Sequence, residues 1–143
     1  MSQAEIVTFF PKSVYYKPDC MLDKIDYLYN TLHSSGIEYY KDTSLSVNSS
    51  HKTFSLLHTL PQFEEFSNIV LENARDYGRV LGYSQRQLDK FRFINMWFNQ
   101  SFKGDFNFPH IHNGSVISGV FYIKTVPANK IVFQNIACLL YTS

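Results

Sequence analysis

The sequence predicts an α+β domain in which β structure dominates, with two helices in its N-terminal part laid on a sheet. Three observations lead there. Aromatic content is high, with 13 Phe and 10 Tyr, and such side chains suit half-buried pleated surfaces and large apolar cores. Apolar residues recur at helical spacing in two stretches that end near Gly36 and Gly82. From Phe91 onward the period shortens to that of strands joined by short turns, which points to a jelly roll or barrel rather than a parallel α/β sheet.

The elements follow in order. Ile6 to Phe10 is a short apolar run stopped by Pro11, expected as a first, edge strand. Asp19 offers an N-cap, and Leu22, Ile25, Leu28, Tyr29 and Leu32 recur at helical spacing until Gly36. Lys41 to Ser50 is polar and Ser-rich, a loop by composition. His51 and His58 have no partner at ligand spacing and read as ordinary surface or capping residues. Pro61 opens a second helix, with Glu64 and Glu65 favourably placed against its dipole. Its buried stripe is expected to be Phe66, Ile69, Val70, Ala74, Tyr77, Val80 and Leu81, with Gly82 as the C-terminal stop.

Phe91 to Asn99 carries bulky groups on both alternating faces and reads as a strand buried on both sides. Gly104 and Asp105 make a turn, Phe106 to His112 reads as the next strand, and Asn113-Gly114 is a turn signal. Ile117 to Lys124 is a further strand, with Ser118, Val120, Tyr122 and Lys124 on one face and Ile117, Gly119, Phe121 and Ile123 on the other. Pro127 to Asn129 turns the chain, and Ile131 to Phe133 starts one more strand.

Composition narrows the function. The 143 residues, 45% hydrophobic and 17% charged, fit a single domain with a real core. A net charge of +1 gives no electrostatic reason to expect nucleic acid or a membrane surface as partner. There is no long apolar run and no signal peptide, since Glu5 and Pro11 interrupt the start, so a cytoplasmic protein is expected. Cys20 and Cys138 are too few for a disulfide framework or a zinc cluster.

The chemistry concentrates in Pro109-His110-Ile111-His112-Asn113. Two residues apart on a strand, His110 and His112 share a face and could grip one ion. The plain alternative is a pair of strand-end histidines with no ligand, because short motifs match by chance. Tyr122 offers a hydroxyl to an anionic ligand on a nearby strand. Lys124 reads as a solvated strand-end lysine, and Trp97 as core.

The stretch from Ile94 to Phe133 resembles the 2-oxoglutarate/Fe(II)-dependent oxygenases of marine bacteria and phages, which are prolyl-hydroxylase-like. The motifs that carry it are Trp97-x-Asn99, His110-x-His112 and Ser118-Gly119-Val120-Phe121-Tyr122. The preceding helices, ending in Arg79-Val80-Leu81-Gly82-Tyr83, also look like that family, and the resemblance covers most of residues 1 to 135. It implies a partial double-stranded β-helix (jelly roll) and a hydroxylase that uses Fe(II), 2-oxoglutarate and O2 on a small molecule or a protein side chain. The cytoplasm would be the host's if a phage encodes it. The wider family's metal motif is H-x-D, so His110 falls on its histidine and His112 on its carboxylate position. Tyr122 falls on the tyrosine that binds the distal carboxylate of 2-oxoglutarate, and Asn99 lies roughly at another cosubstrate contact. Imidazole at position 112 departs from the two-His, one-carboxylate triad and removes one negative charge from the ligand set.

The resemblance also calls for a distal histidine and a later basic residue to pair the cosubstrate carboxylate. No histidine or arginine follows His112. Cys138 to Ser143 is similar to translated adapter read-through, so residues 1–137 are expected to be one incomplete oxygenase-like domain and 138–143 a non-native tail. On that reading the chain itself is inactive. The competing class is a non-catalytic jelly-roll module that binds a ligand or partner, for example in a phage particle.

Overall fold

The computed structural model describes residues 13–34, 36–41, 47–48, 51–127 and 131–132. The expected strand at Ile6 to Phe10, the start of the strand at Phe133, Cys138 and the tail at 138–143 lie outside them. In chain order the elements are α1 (Ile25–His33), β1 (Tyr39–Lys41), β2 (Val47–Asn48), β3 (His51–Thr53), α2 (Glu64–Val80), α3 (Gln85–Leu88), β4 (Asn99–Gln100) and β5 (Phe106–Asn107). Short 3-10 turns at Leu22–Lys24, Leu57–Thr59 and Pro61–Phe63 lead into the helices. The strands form a three-stranded antiparallel sheet in the order β1-β3-β4 and a separate antiparallel pair, β2 with β5. The α+β class therefore holds. Dominance of β structure does not: among the described residues α2 alone spans 17 residues, and no strand exceeds three.

Apolar spacing places the core. Leu28 and Leu32 are one helical turn apart on α1 and are buried with Leu57 and Phe63. Ile37, Leu60, Phe66, Met96, Phe98, Phe121 and Ile123 pack around them. Burying each such side chain contributes about 1.5–3 kcal/mol. Tyr39 donates its hydroxyl to the Leu32 carbonyl at 2.9 Å, which ties β1 to the end of α1. The Lys24–Glu65 ion pair at 3.1 Å links the turn before α1 to the first turn of α2. Residues 13–20 run along α2, where Lys17 Nζ reaches Asn73 Oδ1 at 2.8 Å.

Asp19 is not the cap of the first helix. It and Met21 both adopt left-handed backbone (φ 55° and 58°), and Met21 precedes the 3-10 turn that opens into α1. Pro61 does open the second helical stretch, at the 3-10 turn before α2. At the other end, the Gly82 amide donates to the Arg79 carbonyl and the Tyr83 amide to the Gly78 carbonyl, both at 3.0 Å. That pairing closes the helix through Gly82 at φ 86°, a conformation glycine adopts without a Cβ penalty. Val80 and Leu81 are exposed rather than buried, Val80 by 74%. The buried side at this end belongs to Gly78, against which Leu88 and Phe91 pack. Val80, two residues on, faces away from it.

The polar stretch from Lys41 to Ser50 is not all loop, since it holds the last residue of β1 and all of β2. Phe91 to Asn99 is not a continuous strand buried on both sides: the described ladder there is a bridge at Met96 with Leu56, then β4. Arg92, Ile94 and Asn95 are exposed. The strand expected over Phe106 to His112 covers only Phe106–Asn107. Ile117 to Lys124 forms no described ladder, yet it keeps the expected alternation. Phe121 and Ile123 pack on the core, Phe121 at 5.2 Å from the Phe66 ring, while Ser118, Val120, Tyr122 and Lys124 are exposed.

Candidate functional site

The residues that surround the histidine motif are set in place by backbone pairing. The Met96 amide donates to the Ser55 carbonyl at 2.9 Å, and the Leu57 amide to the Met96 carbonyl at 3.0 Å. Phe98 and Thr53 exchange two bonds: the Thr53 amide donates to the Phe98 carbonyl, and the Phe98 amide to Thr53 Oγ1, each at 3.0 Å. Thr53 is fully buried, so this hydroxyl occupies the interior and is satisfied. Met96 and Phe98 turn their side chains to the core. Trp97, between them, therefore leaves on the other side.

His110 and His112 follow the β2–β5 pair, outside any strand. Both are exposed, and their ring centroids lie 5.1 Å apart at 63°. The turn after them is closed by the Ser115 amide donating to the His112 carbonyl at 3.2 Å, with Gly114 at φ 81°. Trp97 meets this segment, its ring 5.4 Å from that of His112 at 34°. His110 Nδ1 lies 2.6 Å from the Phe108 carbonyl. A carbonyl only accepts, so Nδ1 is the donor here, which leaves Nε2 as the nitrogen able to offer a lone pair. His33 has the same kind of tether, to the Tyr29 carbonyl, so the bond fixes the ring of His110 without by itself marking a ligand. As a donor set, two neighbouring imidazoles suit Fe(II) chemically.

Tyr122 is 48% exposed on the outer row of the extended segment. Asn99 is exposed on β4, opposite Lys52 in register. Neither side chain makes a hydrogen bond or ring contact with the histidine pair among the described residues. Lys124 is not simply solvated, for its Nζ sits 5.2 Å from the centroid of the Tyr29 ring, a cation–π contact that ties the extended segment to α1. Trp97 is half-buried rather than core, and its placement beside His112 is what a reading of residue types misses. The available signal was the alternation of Met96, Trp97 and Phe98.

The other three histidines are engaged elsewhere. His33 donates Nδ1–H to the Tyr29 carbonyl at 2.8 Å and stacks on the Tyr29 ring. His51 and His58 are neither surface nor capping residues: both are half-buried, against Phe102 and Phe93 respectively, with Nδ1 buried and unpartnered. Among the described residues no group of three or more His, Cys, Asp or Glu side chains could share one ion. None of the described helices is long and apolar enough to cross a membrane.

Residues 95–137 match the model of the family described as "Putative 2OG-Fe(II) oxygenase". No curated protein and no solved structure matches the chain. The matched stretch is less than half of the chain, and it contains Trp97, Asn99, His110, His112 and Tyr122 together. At this coarse level the segment that carries the two histidines is similar to an Fe(II)- and 2-oxoglutarate-dependent oxygenase domain.

Proposed function

We propose that the chain carries the metal-binding part of an Fe(II)- and 2-oxoglutarate-dependent dioxygenase that hydroxylates a small molecule or a protein side chain. The observation that carries the reading is the adjacent pair of imidazoles, one tethered through Nδ1 to the Phe108 carbonyl, inside the segment that matches the oxygenase family. His110 and His112 would hold the metal. Fe(II) bound there supplies open coordination positions and the oxidative chemistry, in which O2 converts substrate and 2-oxoglutarate to hydroxylated product, succinate and CO2. Tyr122 would donate its hydroxyl to the distal carboxylate of 2-oxoglutarate, and Asn99 would offer its amide to the same ligand. The finer architecture belongs to the same proposal: the sheet, the β2–β5 pair and the extended segment 117–124 would be parts of a jelly roll.

All five histidines are described: His33 is hydrogen-bonded to the Tyr29 carbonyl, and His51 and His58 pack against Phe102 and Phe93, away from the His110/His112 pair. With these two imidazoles as its ligands the ion would be too weakly held for turnover, and the chain should release no succinate from 2-oxoglutarate and Fe(II). Equilibrium binding of 2-oxoglutarate under anaerobic conditions tests the site without turnover. Binding should require Mn(II) or Fe(II), weaken in Tyr122→Phe, and vanish when both histidines are alanine. Binding of 2-oxoglutarate that is independent of the metal contradicts the proposal.

A further inference from the structure

His112 has an incomplete support. The ring of His110 is fixed by a hydrogen bond to the Phe108 carbonyl. That of His112 makes no hydrogen bond among the described residues, and the turn behind it holds only its backbone carbonyl. What meets the imidazole are two rings: His110 at 5.1 Å and Trp97 at 5.4 Å. Of these, Trp97 alone is anchored to the core. Its neighbours on both sides are locked by three backbone bonds to Thr53, Ser55 and Leu57 and a fourth bond from the Phe98 amide to Thr53 Oγ1, and Thr53 and Leu57 are buried.

We propose that Trp97 is a positioning residue for His112, a rigid indole wall that sets the orientation of an otherwise untethered imidazole beside His110. The inference rests on the metal-site reading above, and it names the device by which the fold fixes that site. An imidazole in an exposed segment samples several rotamers, and each is an ordering cost when an ion binds. Contact with a fixed aromatic face removes part of that cost before the ion arrives, which is pre-organisation by packing rather than by a hydrogen bond. The tilt of 34° between the rings is compatible with an offset stack. Trp97 would touch neither the ion nor the cosubstrate.

The test has a metal-free arm and a metal arm, both on the full chain. In the metal-free wild type, NMR should show contacts between Trp97 indole protons and the His112 ring. In Trp97→Ala the His112 ring resonances should move to those of a freely rotating histidine, while those of His33 stay fixed. Trp97→Phe, which keeps an aromatic face, should restore most of the wild-type shift. In the metal arm, calorimetry with Co(II) should show affinity reduced about 10-fold in Trp97→Ala and largely rescued in Trp97→Phe. Absence of the indole–His112 contacts in the wild type overturns the proposal, and so does a His112 resonance that Trp97→Ala leaves unmoved. The wild-type measurement needs no variant to fold. If the contacts and shifts appear but Co(II) does not bind the wild type, the positioning stands and the metal reading fails, so the two are separable.

Discussion

A single buried hydroxyl links the core to the candidate site. Thr53 is completely inaccessible, and its Oγ1 accepts the Phe98 amide while donating to the Phe54 carbonyl at 3.2 Å. Thr53→Val keeps the shape but strands the Phe98 N–H, at a cost of about 1–3 kcal/mol. Urea unfolding of the variant should show a midpoint lowered accordingly at constant slope. Because Phe98 adjoins Trp97, the same variant should loosen the indole wall. Tyr39 gives a second residue-scale expectation. Burial, and secondarily the neighbouring Tyr29, hold its phenol above the usual tyrosine range. The folded state therefore keeps the proton that the unfolded state releases near pH 10, so this contribution is intact below that pH and is lost as pH rises through the folded value. Thermal midpoints should fall less steeply above pH 10 in Tyr39→Phe than in the wild type, although the variant starts lower for want of the bond to Leu32.

The helices were legible as elements because their signals are local. Leu28 and Leu32, Pro61 with Glu64 and Glu65, and the stop at Gly82 each act within a turn or two of the chain, and all three mark real features of α1 and α2. The strands were less legible. β1 and β3 contain Tyr39–Lys41 and His51–Thr53, which carry no apolar alternation, and what makes them strands is the antiparallel register Tyr39 with Thr53 and Lys41 with His51. Pairing of that kind is a property of two distant segments, so neither sequence announces it. The opposite error occurred at Phe91 to Asn99, where large residues on both faces suggested a buried strand. Phe91 instead packs on α2 beside Gly78, and Phe93 stacks on His58 at 5.3 Å. Leu88, only 1% exposed, is the anchor of this corner. Leu88→Ala should cost about 2–5 kcal/mol in chemical denaturation. Gly78→Ala should also destabilise, since a Cβ there would stand 2.5 Å from Leu88 Cδ2 and outweigh the helix-propensity gain of about 1 kcal/mol.

At the scale of the molecule, the core joins residues of α1, the 3-10 turns before α2 and the inward row of the extended segment, while the two histidines are exposed outside it. The histidine motif itself was readable, as a spacing and as a resemblance, and its rings do lie side by side. The support around it was not readable, because the carbonyl two residues upstream of His110 and the indole fifteen residues upstream of His112 meet those rings only after folding. The outer row of Val116, Val120, Tyr122 and Val126 is exposed, and such a row should favour self-association at high concentration, visible as a concentration-dependent sedimentation coefficient. The central claim is that His110 and His112 form a metal-binding pair. Anaerobic calorimetric titration of Fe(II) into the chain and into the double variant His110→Ala/His112→Ala addresses it most directly. The account predicts one weak site per chain in the wild type and none in the double variant, with the circular dichroism of the two alike. Absence of binding to the wild type, or equal heats in both proteins, would contradict it.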